Sequence, residues 1–583
     1  MRFPPRKLIN RLGFLSVVGL MIGSAIVRAE DPCHGLHFLS PIDPPLAKNE
    51  KSLVCPSEKE GAWSRIPPSQ RRFHLIRFLQ ARGYNQPVFR TSPEGDLIIF
   101  PGPISRVQNI TMRLAGEVRI PQIQWNWLGR AITPEILDEI EKSAGEELQK
   151  RGYPCAEARA TVPNPADGQV FVDVTPGEKS LLFYERVTLS PELEIAYSKR
   201  MLSRYYAFED GQEFDEDLLN LSTQRMEQSG IVDSGYFLSG CSKRKLSELQ
   251  LRGSISPPRL TTIGMGVDTE GIFKVRASWR HARLGDNASS LEFSLLASKY
   301  LQSFKGSMNW FLFEAHPRFY LQPDLEFRRN SEQHYESYTL LASILPSYSW
   351  DTRNERIRFS LGPSVELTKT VRGSGVGLFL LPMLKLSLGY LTHDLELALD
   401  KPTEGTLGQL SLSYSDQKLF SDVSFLRLQL LGKKLWNLGG LKPAKYVFGV
   451  RFAFGTTAHW GGTLSDIYRF FLGGSDSLRG FSRLELPGPG QAAQTSLYFG
   501  LEQRLLNLLP WKLQPLVFMD FGAAGFQPFS LGSQVFGSPG FGLRWDSPIG
   551  VIRSTLAHGI VWGSGPLTIN PHWQFYIGLG EEF

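Results

Sequence analysis

The sequence predicts an exported protein in two parts, a string of small α+β modules followed by a transmembrane antiparallel β-barrel. Three observations predict this fold class. The N terminus has the features of an export signal, a helix-then-strand pattern recurs three times up to about residue 256, and the rest of the chain alternates apolar with polar side chains. Because helical patterns give way to a period of two, the two parts meet near residue 257.

Residues 1–29 are predicted to be a signal peptide. Arg2 and Lys7 precede an apolar run over 12–27, and Ala29 closes a small-residue cleavage site. No cysteine stands at the cleavage point, so a lipid-anchored start is not expected. Beyond Glu30 no window reaches the roughly 18 uninterrupted apolar residues that a membrane helix requires.

The net charge and the cysteine content bear on nucleic-acid binding, disulfide formation and metal binding. The net charge of +6 is spread along the chain without a basic block, so no nucleic-acid partner is expected. Cys33 and Cys55 are a plausible disulfide pair in an exported protein, with free thiols as the alternative. His34 and His37 beside one cysteine are too few for a metal-site pattern, and neither a metal nor a cofactor is predicted.

The modules are predicted from helix and strand signals. Thr133 at an N-cap position and Pro134 at the first helical position begin a helix that ends near Gly152, and a strand pattern follows at 169–175. Similar pairs occur elsewhere, with helices over 71–82 and 213–228 and strands over 97–100 and around 236–238. We predict modules at 63–103, 104–180 and 181–256, with the Pro-rich segment 30–62 either preceding or belonging to the first.

Residues 257–583 are predicted to form the barrel. In the segment from Phe273 to Arg280 the odd positions are apolar and the even ones polar, and large aromatics recur on the apolar side. Since hydrocarbon cannot satisfy backbone hydrogen bonds, only helices or closed barrels span a membrane. At roughly 20 residues per strand and connector, the length allows about 16 strands. The alternative is a large soluble β-sandwich, which the export signal and the terminal aromatics disfavour.

A glycine-rich loop at 470–481, "FFLGGSDSLRGF", contains Arg479 and is the first candidate functional site. If Phe499 faces lipid, Glu502 on the same strand faces the lumen, and if Phe521 faces lipid on the next strand, Asp520 also faces the lumen. A guanidinium offers a planar fork that suits carboxylates, and glycines let the loop enter a narrow space. We expect the loop to fold into the barrel and Arg479 to pair with both carboxylates; the alternative is that all three are ordinary hydrated lumen residues.

The seam between the first and last strands is the second candidate site. The last strand has Phe575 and Ile577 on its outward face and carries Gly578 and Gly580, and the first strand, near 262–267, is also glycine-bearing. Glycine weakens strand pairing, and an opened seam exposes backbone groups that an incoming strand can pair with. Alternatively, these glycines only ease close packing.

Taken together, these motifs resemble the BamA/TamA superfamily of outer-membrane assembly and translocation proteins. The strand and turn "VDVTPGEK" at 172–179 is similar to those of its polypeptide-transport-associated (POTRA) modules. The family's carboxylate partners fall in segments like "LEQR" and "FMDFGAAG", which contain Glu502 and Asp520 here. The family's loop motif, Val/Ile-Arg-Gly-Phe/Tyr, is matched, with Leu in first place, by Leu478, Arg479, Gly480 and Phe481.

The resemblance implies a bacterial outer-membrane barrel with periplasmic modules. It implies client outer-membrane proteins, such as autotransporters, as partners, together with outer-membrane lipid and an inner-membrane-anchored protein of the TamB type. A protein that inserts clients at the seam is the first interpretation, and a passive two-partner secretion pore through the lumen is the second. No enzyme motif is found, so no catalytic residues are predicted. The sequence does not decide between protein and lipid cargo.

Overall fold

The computed structural model describes residues 32–55, 66–114, 127–314, 316–397, 402–440, 444–488, 490–548, 550–563 and 572–579. The predicted signal peptide and Gly580 lie outside these residues. Two compact units are present, one from 32–114, 127–145 and 158–175, the other from 146–157 and 176–579.

The first unit opens with a three-stranded sheet in the order β1-β3-β2, in which β1 runs parallel to β3 and β2 antiparallel to it. Segment 30–62 supplies β1 and α1, and it is closed by the predicted disulfide between Cys33 and Cys55. The core buries Leu36, Val54 and Leu75. Residues 32–55, the described part of this segment, thus share one core with α2 and β3. Its elements are β1 (Leu36–Phe38), α1 (Lys48–Val54), α2 (Pro68–Gln80), β2 (Val88–Thr91) and β3 (Leu97–Phe100).

The second module has a sheet in the order β4-β6-β5, with β4 parallel to β6. Its helix begins where the sequence predicts, because the Thr133 hydroxyl accepts a hydrogen bond from the Ile136 amide at 3.2 Å. The elements are β4 (Asn109–Leu114), α3 (Pro134–Gln149), β5 (Glu157–Thr161) and β6 (Gln169–Thr175).

The second unit contains the third module, whose sheet order is β10-β11-β8. Its last helix begins three residues after the predicted start because Asp215 is the N-cap and accepts from the Asp217 amide at 2.9 Å. A second disulfide, Cys155–Cys241, joins the segment after α3 to the β10–β11 hairpin, a pairing the sequence did not indicate. The elements are β7 (Leu181–Leu182), β8 (Val187–Leu189), α4 (Pro191–Ala196), α5 (Lys199–Leu202), β9 (Gln212–Glu213), α6 (Glu216–Gln228), β10 (Val232–Ser242) and β11 (Lys245–Ile255).

The rest of the second unit is a closed antiparallel barrel. Because β26 and β27 are one strand interrupted at Gly559, and both pair with β25, the described residues form 16 strands, as predicted. The elements are β12 (Arg259–Asp268), β13 (Ile272–Leu284), β14 (Ser289–Ser298), β15 (Leu301–Asn309), β16 (Phe319–Ser331), β17 (Glu336–Asp351), β18 (Glu355–Arg372), β19 (Gly377–Thr392), α7 (His393–Leu397), β20 (Gly405–Ser415), β21 (Ser424–Asn437), β22 (Tyr446–Gly461), β23 (Thr495–Leu505), β24 (Leu513–Gly525), β25 (Val535–Ser547), β26 (Gly550–His558), β27 (Ile560–Trp562) and β28 (Trp573–Leu579).

The barrel exterior is apolar along strand after strand. Ile263, Phe327, Val517 and Phe575 are among many large apolar side chains that remain exposed, while Glu502 and Asp520 point inward, as the parity argument predicts. A continuous exposed apolar surface of this kind fits hydrocarbon and not water. Among the described residues, no helix combines the length and the apolarity needed to cross a bilayer.

A buried ion cluster attaches the third module to one rim of the barrel. The Arg225 guanidinium on α6 donates to both Glu396 oxygens, at 2.9 and 2.6 Å, and lies 2.8 Å from Asp351 at the end of β17. Arg225 is 4% exposed and Asp351 is fully buried. Replacing one of these partners would leave the others buried and uncompensated.

Candidate functional site: the lumen loop and the barrel seam

The connection between β22 and β23 folds back into the barrel. Its apolar side chains are buried against the inner wall of the barrel, where they pack against Tyr498, Ala524 and Phe536. We call residues 462–494 the lumen loop. Its buried apolar residues are Leu472, Leu478, Phe481, Leu486 and Ala493.

Arg479 of the lumen loop contacts both predicted carboxylates. Its Nε and Nη2 donate to the two Asp520 oxygens at 2.8 and 2.9 Å, and its Nη1 donates to Glu502 at 2.9 Å. The guanidinium carbon also lies 3.3 Å from the centre of the Phe518 ring. The bidentate geometry on Asp520 and the stacking on Phe518 both depend on a planar guanidinium, which lysine does not provide.

The charges of this cluster balance locally. Arg504 Nε lies 2.6 Å from the second oxygen of Glu502, so Arg479 and Arg504 face Glu502 and Asp520 as two cations and two anions. Arg479 is 5% exposed and Asp520 is fully buried. In such a poorly solvated site each charge depends on its partners, and removal of one leaves the others with the full cost of burial.

The glycine of the motif is required by close approach of two backbones. A Cβ on Gly480 would lie 2.6 Å from the amide nitrogen of Gly559, at the interruption between β26 and β27. A Cβ on Gly559 would likewise meet the Gly480 carbonyl oxygen at 2.7 Å. The Gly480 amide donates to the Ser538 hydroxyl at 3.0 Å. The loop can therefore lie this close to the barrel wall only because both backbone segments have glycine at the point of contact.

Three contributors to this cluster were missed by sequence reasoning. The Tyr498 hydroxyl donates to Asp520 at 3.0 Å, Phe518 stacks on Arg479, and Ser538 binds the loop backbone. Tyr498 and Phe518 have the same parity as Glu502 and Asp520, respectively, so a parity count around the two carboxylates would have placed them in the lumen. Ser538 had no comparable signal, since a serine in a Gly-Ser-Pro-Gly segment is ordinary turn composition.

The seam is short. β12 pairs with β13 along its whole length, but the described residues of β28 face it only at Val267–Leu579 and Asp268–Gly578. One further backbone hydrogen bond runs from the Thr269 amide to the Ile577 carbonyl at 3.0 Å. The first hairpin then turns, so Trp573–Tyr576 continue beyond it with no strand partner on that side among the described residues.

Three of the predicted seam residues are described, and Gly580 lies outside the described residues. Phe575 and Ile577 are exposed on the outer face, and Gly578 stands opposite Asp268. A Cβ on Gly578 would lie 3.7 Å from the Asp268 Cβ, an ordinary contact, so close packing does not require glycine here. In the observed register Val267 faces Leu579, so residues 263–266 do not lie opposite 574–578.

Fold and site together define a class: a membrane-spanning β-barrel, preceded by three α+β modules, whose lumen holds an ion-paired loop beside the seam. Residues 382–583, from β19 onward and including Arg479, Glu502 and Asp520, match the model of the Omp85 superfamily domain. The chain thus carries an Omp85 superfamily domain.

Several solved structures are similar to this chain over part or most of its length. BamA from Haemophilus ducreyi lacking POTRA domains 1–3 is 15% identical, with 81% of this chain and 99% of that chain covered and a TM-score of 0.49. CdiB from Acinetobacter baumannii is 14% identical, covering 82% of this chain and 90% of that chain with a TM-score of 0.46. POTRA1-3 of Omp85 from Anabaena is 13% identical, with coverages of 38% and 93% and a TM-score of 0.19.

Proposed function

We propose that the protein inserts client outer-membrane proteins into the membrane by pairing their strands with the edges of its seam. The observation that carries the proposal is the incomplete pairing of β28. Its residues Trp573–Tyr576 extend past the first hairpin, while the opposite edge of the same strand is fully paired with β26. An exposed edge offers backbone donors and acceptors in the geometry that an incoming strand needs.

The driving force would come from the client. A client that closes its own barrel in lipid satisfies its backbone hydrogen bonds internally and buries its apolar face, and this favours release without a chemical energy source. The lumen loop supports this route, because its buried apolar residues and Arg479 fill the lumen beside the seam. A polypeptide passing through the lumen would first have to displace them.

The periplasmic modules would guide clients, or a TamB-type partner, by strand addition. β10 is an edge strand of the third module, and its side chains Tyr236 and Leu238 are exposed. Three modules before the barrel favour a TamA-like assembly factor within the superfamily. The Gly578 side of the seam would act as a weak point, since glycine adds no side-chain contact between the strands.

A disulfide across the seam tests the proposal. Val267 and Leu579 are directly opposed, and Cα atoms of opposed antiparallel residues lie about 4.5–5.5 Å apart, within disulfide reach. We expect Val267→Cys with Leu579→Cys, once oxidised, to stop client assembly. The matched control is Ser278→Cys with Ser294→Cys, an opposed pair on β13 and β14 away from the seam.

Reversal by reductant needs its own control, because the chain has native disulfides at Cys33–Cys55 and Cys155–Cys241. The unmodified protein is therefore assayed with and without reductant alongside both pairs. Loss of assembly in the oxidised seam pair alone supports insertion at the seam. Delivery of clients by the locked seam would contradict it and favour a secretion pore through the lumen.

A further inference from the structure

The lumen loop contacts both sides of the seam at once. On the first-hairpin side, the Ser475 amide donates to Glu270 Oε1 at 3.1 Å and the Ser475 hydroxyl donates to Glu270 Oε2 at 2.7 Å. Glu270 stands in the turn between β12 and β13, directly after the last seam residue. Both carboxylate oxygens of Glu270 are therefore used to hold the loop.

On the other side, the loop contacts the last strand. The Tyr576 hydroxyl, on a side chain that is 8% exposed, donates to the Phe481 carbonyl at 2.7 Å. The Gln574 amide group donates to the Ser482 hydroxyl at 3.0 Å. These contacts join the loop to the part of β28 that lacks a strand partner from the first hairpin.

Some of the same residues line two cavities beside the seam. One cavity, of 180 Å³, is lined by Arg479 and Gly578, and the other, of 270 Å³, is lined by Arg483 and Gln574. Thr269, Glu270 and Tyr576 line both. The hydrogen-bonded side chains of Glu270 and Tyr576 therefore border both cavities.

We propose that Glu270 and Tyr576 are positioning residues that latch the seam to the lumen loop. We call the contacts Glu270–Ser475 and Tyr576–Phe481 the seam latch. Arg479 fixes the loop to β23 and β24, so a loop held there keeps β12 and β28 together through the latch. Separating the seam strands requires at least one latch contact to break, in addition to the few backbone hydrogen bonds of the seam. The functional meaning of the latch rests on the proposed role of the seam.

Hydrogen exchange at the seam amides of Thr269 and Ile577, in the full chain in detergent micelles, measures opening without any client. In Glu270→Ala and in Tyr576→Phe we expect exchange at these amides to quicken about tenfold, the effect of losing a buried hydrogen bond to a strong acceptor. Exchange in β18 and β19, far along the barrel, is expected to stay unchanged. A merely structural role would instead quicken exchange throughout the barrel.

Two further variants make the test specific. Ser475→Ala removes the hydroxyl half of the Glu270 contact from the loop side, so the double variant with Glu270→Ala should exchange no faster than Glu270→Ala alone. It also serves if Glu270→Ala does not fold. Tyr468→Phe is the matched control for Tyr576→Phe, because the Tyr468 hydroxyl of the same loop donates to Glu366 on β18 at 2.7 Å.

Unchanged seam exchange in Glu270→Ala and Tyr576→Phe would overturn the latch, and so would an equal increase in Tyr468→Phe, which would mean general loosening of the loop. The result is independent of client assembly. If the latch variants open the seam while the seam disulfide leaves assembly intact, the latch stands and the proposed function fails. If the disulfide stops assembly while the variants leave exchange unchanged, the proposed function stands and the latch fails.

Discussion

Replacing Arg479 by alanine tests the ion-paired anchor of the lumen loop. The change removes three charge-assisted hydrogen bonds and the stack on Phe518. Glu502 keeps Arg504 at 2.6 Å, so the loss falls mainly on Asp520, which is fully buried and retains the Tyr498 hydroxyl. Breaking a buried pair by removing one partner costs about 3–5 kcal/mol, and we expect a loss of unfolding free energy in this range.

The assay is urea unfolding of the barrel in detergent micelles, followed by the mobility of folded and unfolded forms in gels. Arg469→Ala is the matched control, because Arg469 lies in the same loop but its ion pair, to Asp466 at 3.7 Å, stays within the loop. Exposed or loose pairs contribute about 0–1 kcal/mol. The double variant Arg479→Ala with Asp520→Asn should lose less than the sum of the single variants. Additive losses, or equal losses in Arg479→Ala and Arg469→Ala, would refute the reasoning.

Two other predictions concern backbone approach and pH. Gly480→Ala should release the loop, seen as new protease cleavage within 470–488, because its Cβ would meet the Gly559 amide at 2.6 Å; Gly145→Ala, where nothing lies within 4 Å, should leave the cleavage pattern unchanged. Burial raises the pKa of Asp215 to about 6, so this carboxyl favours folding below its ordinary pKa near 4 and loses that contribution as pH rises through 6. Hydrogen exchange of the α6 amides, corrected for intrinsic rates, should therefore quicken from pH 4 to 7. The free energy of opening should fall over this range by at most about 3 kcal/mol. Asp215→Asn keeps an N-cap side chain but does not titrate, so it should remove this pH dependence. Normal cleavage in Gly480→Ala, or an unchanged slope in Asp215→Asn, would contradict them.

Much of the fold can be predicted from the sequence because the helical spacing of the modules and the period-two alternation of the barrel strands are both clear. The alternation at 273–280 and 497–502 gives the outward and inward faces, and the helix start at Thr133 is a local cap that needs no tertiary context. The first module is different. Its strand β1 has only three residues, and its partner β3 lies about sixty residues further on, so nothing local marks it as a strand.

The candidate site divides in the same way. Arg479, Glu502 and Asp520 can be brought together from parity and charge, since a buried guanidinium needs carboxylates and both carboxylates face the lumen. The contacts of Glu270 and Tyr576 cannot be predicted from the sequence, because they depend on the path of the loop backbone and on the seam register. The disulfide Cys155–Cys241 likewise joins segments whose proximity no local pattern reports.

The central claim is that clients are assembled at the seam between β12 and β28. The most direct test is the rate of client assembly by protein oxidised at Val267→Cys with Leu579→Cys, relative to protein oxidised at Ser278→Cys with Ser294→Cys. The account predicts that only the seam disulfide abolishes assembly and that reduction restores it. Equal assembly by the two oxidised proteins would contradict the account.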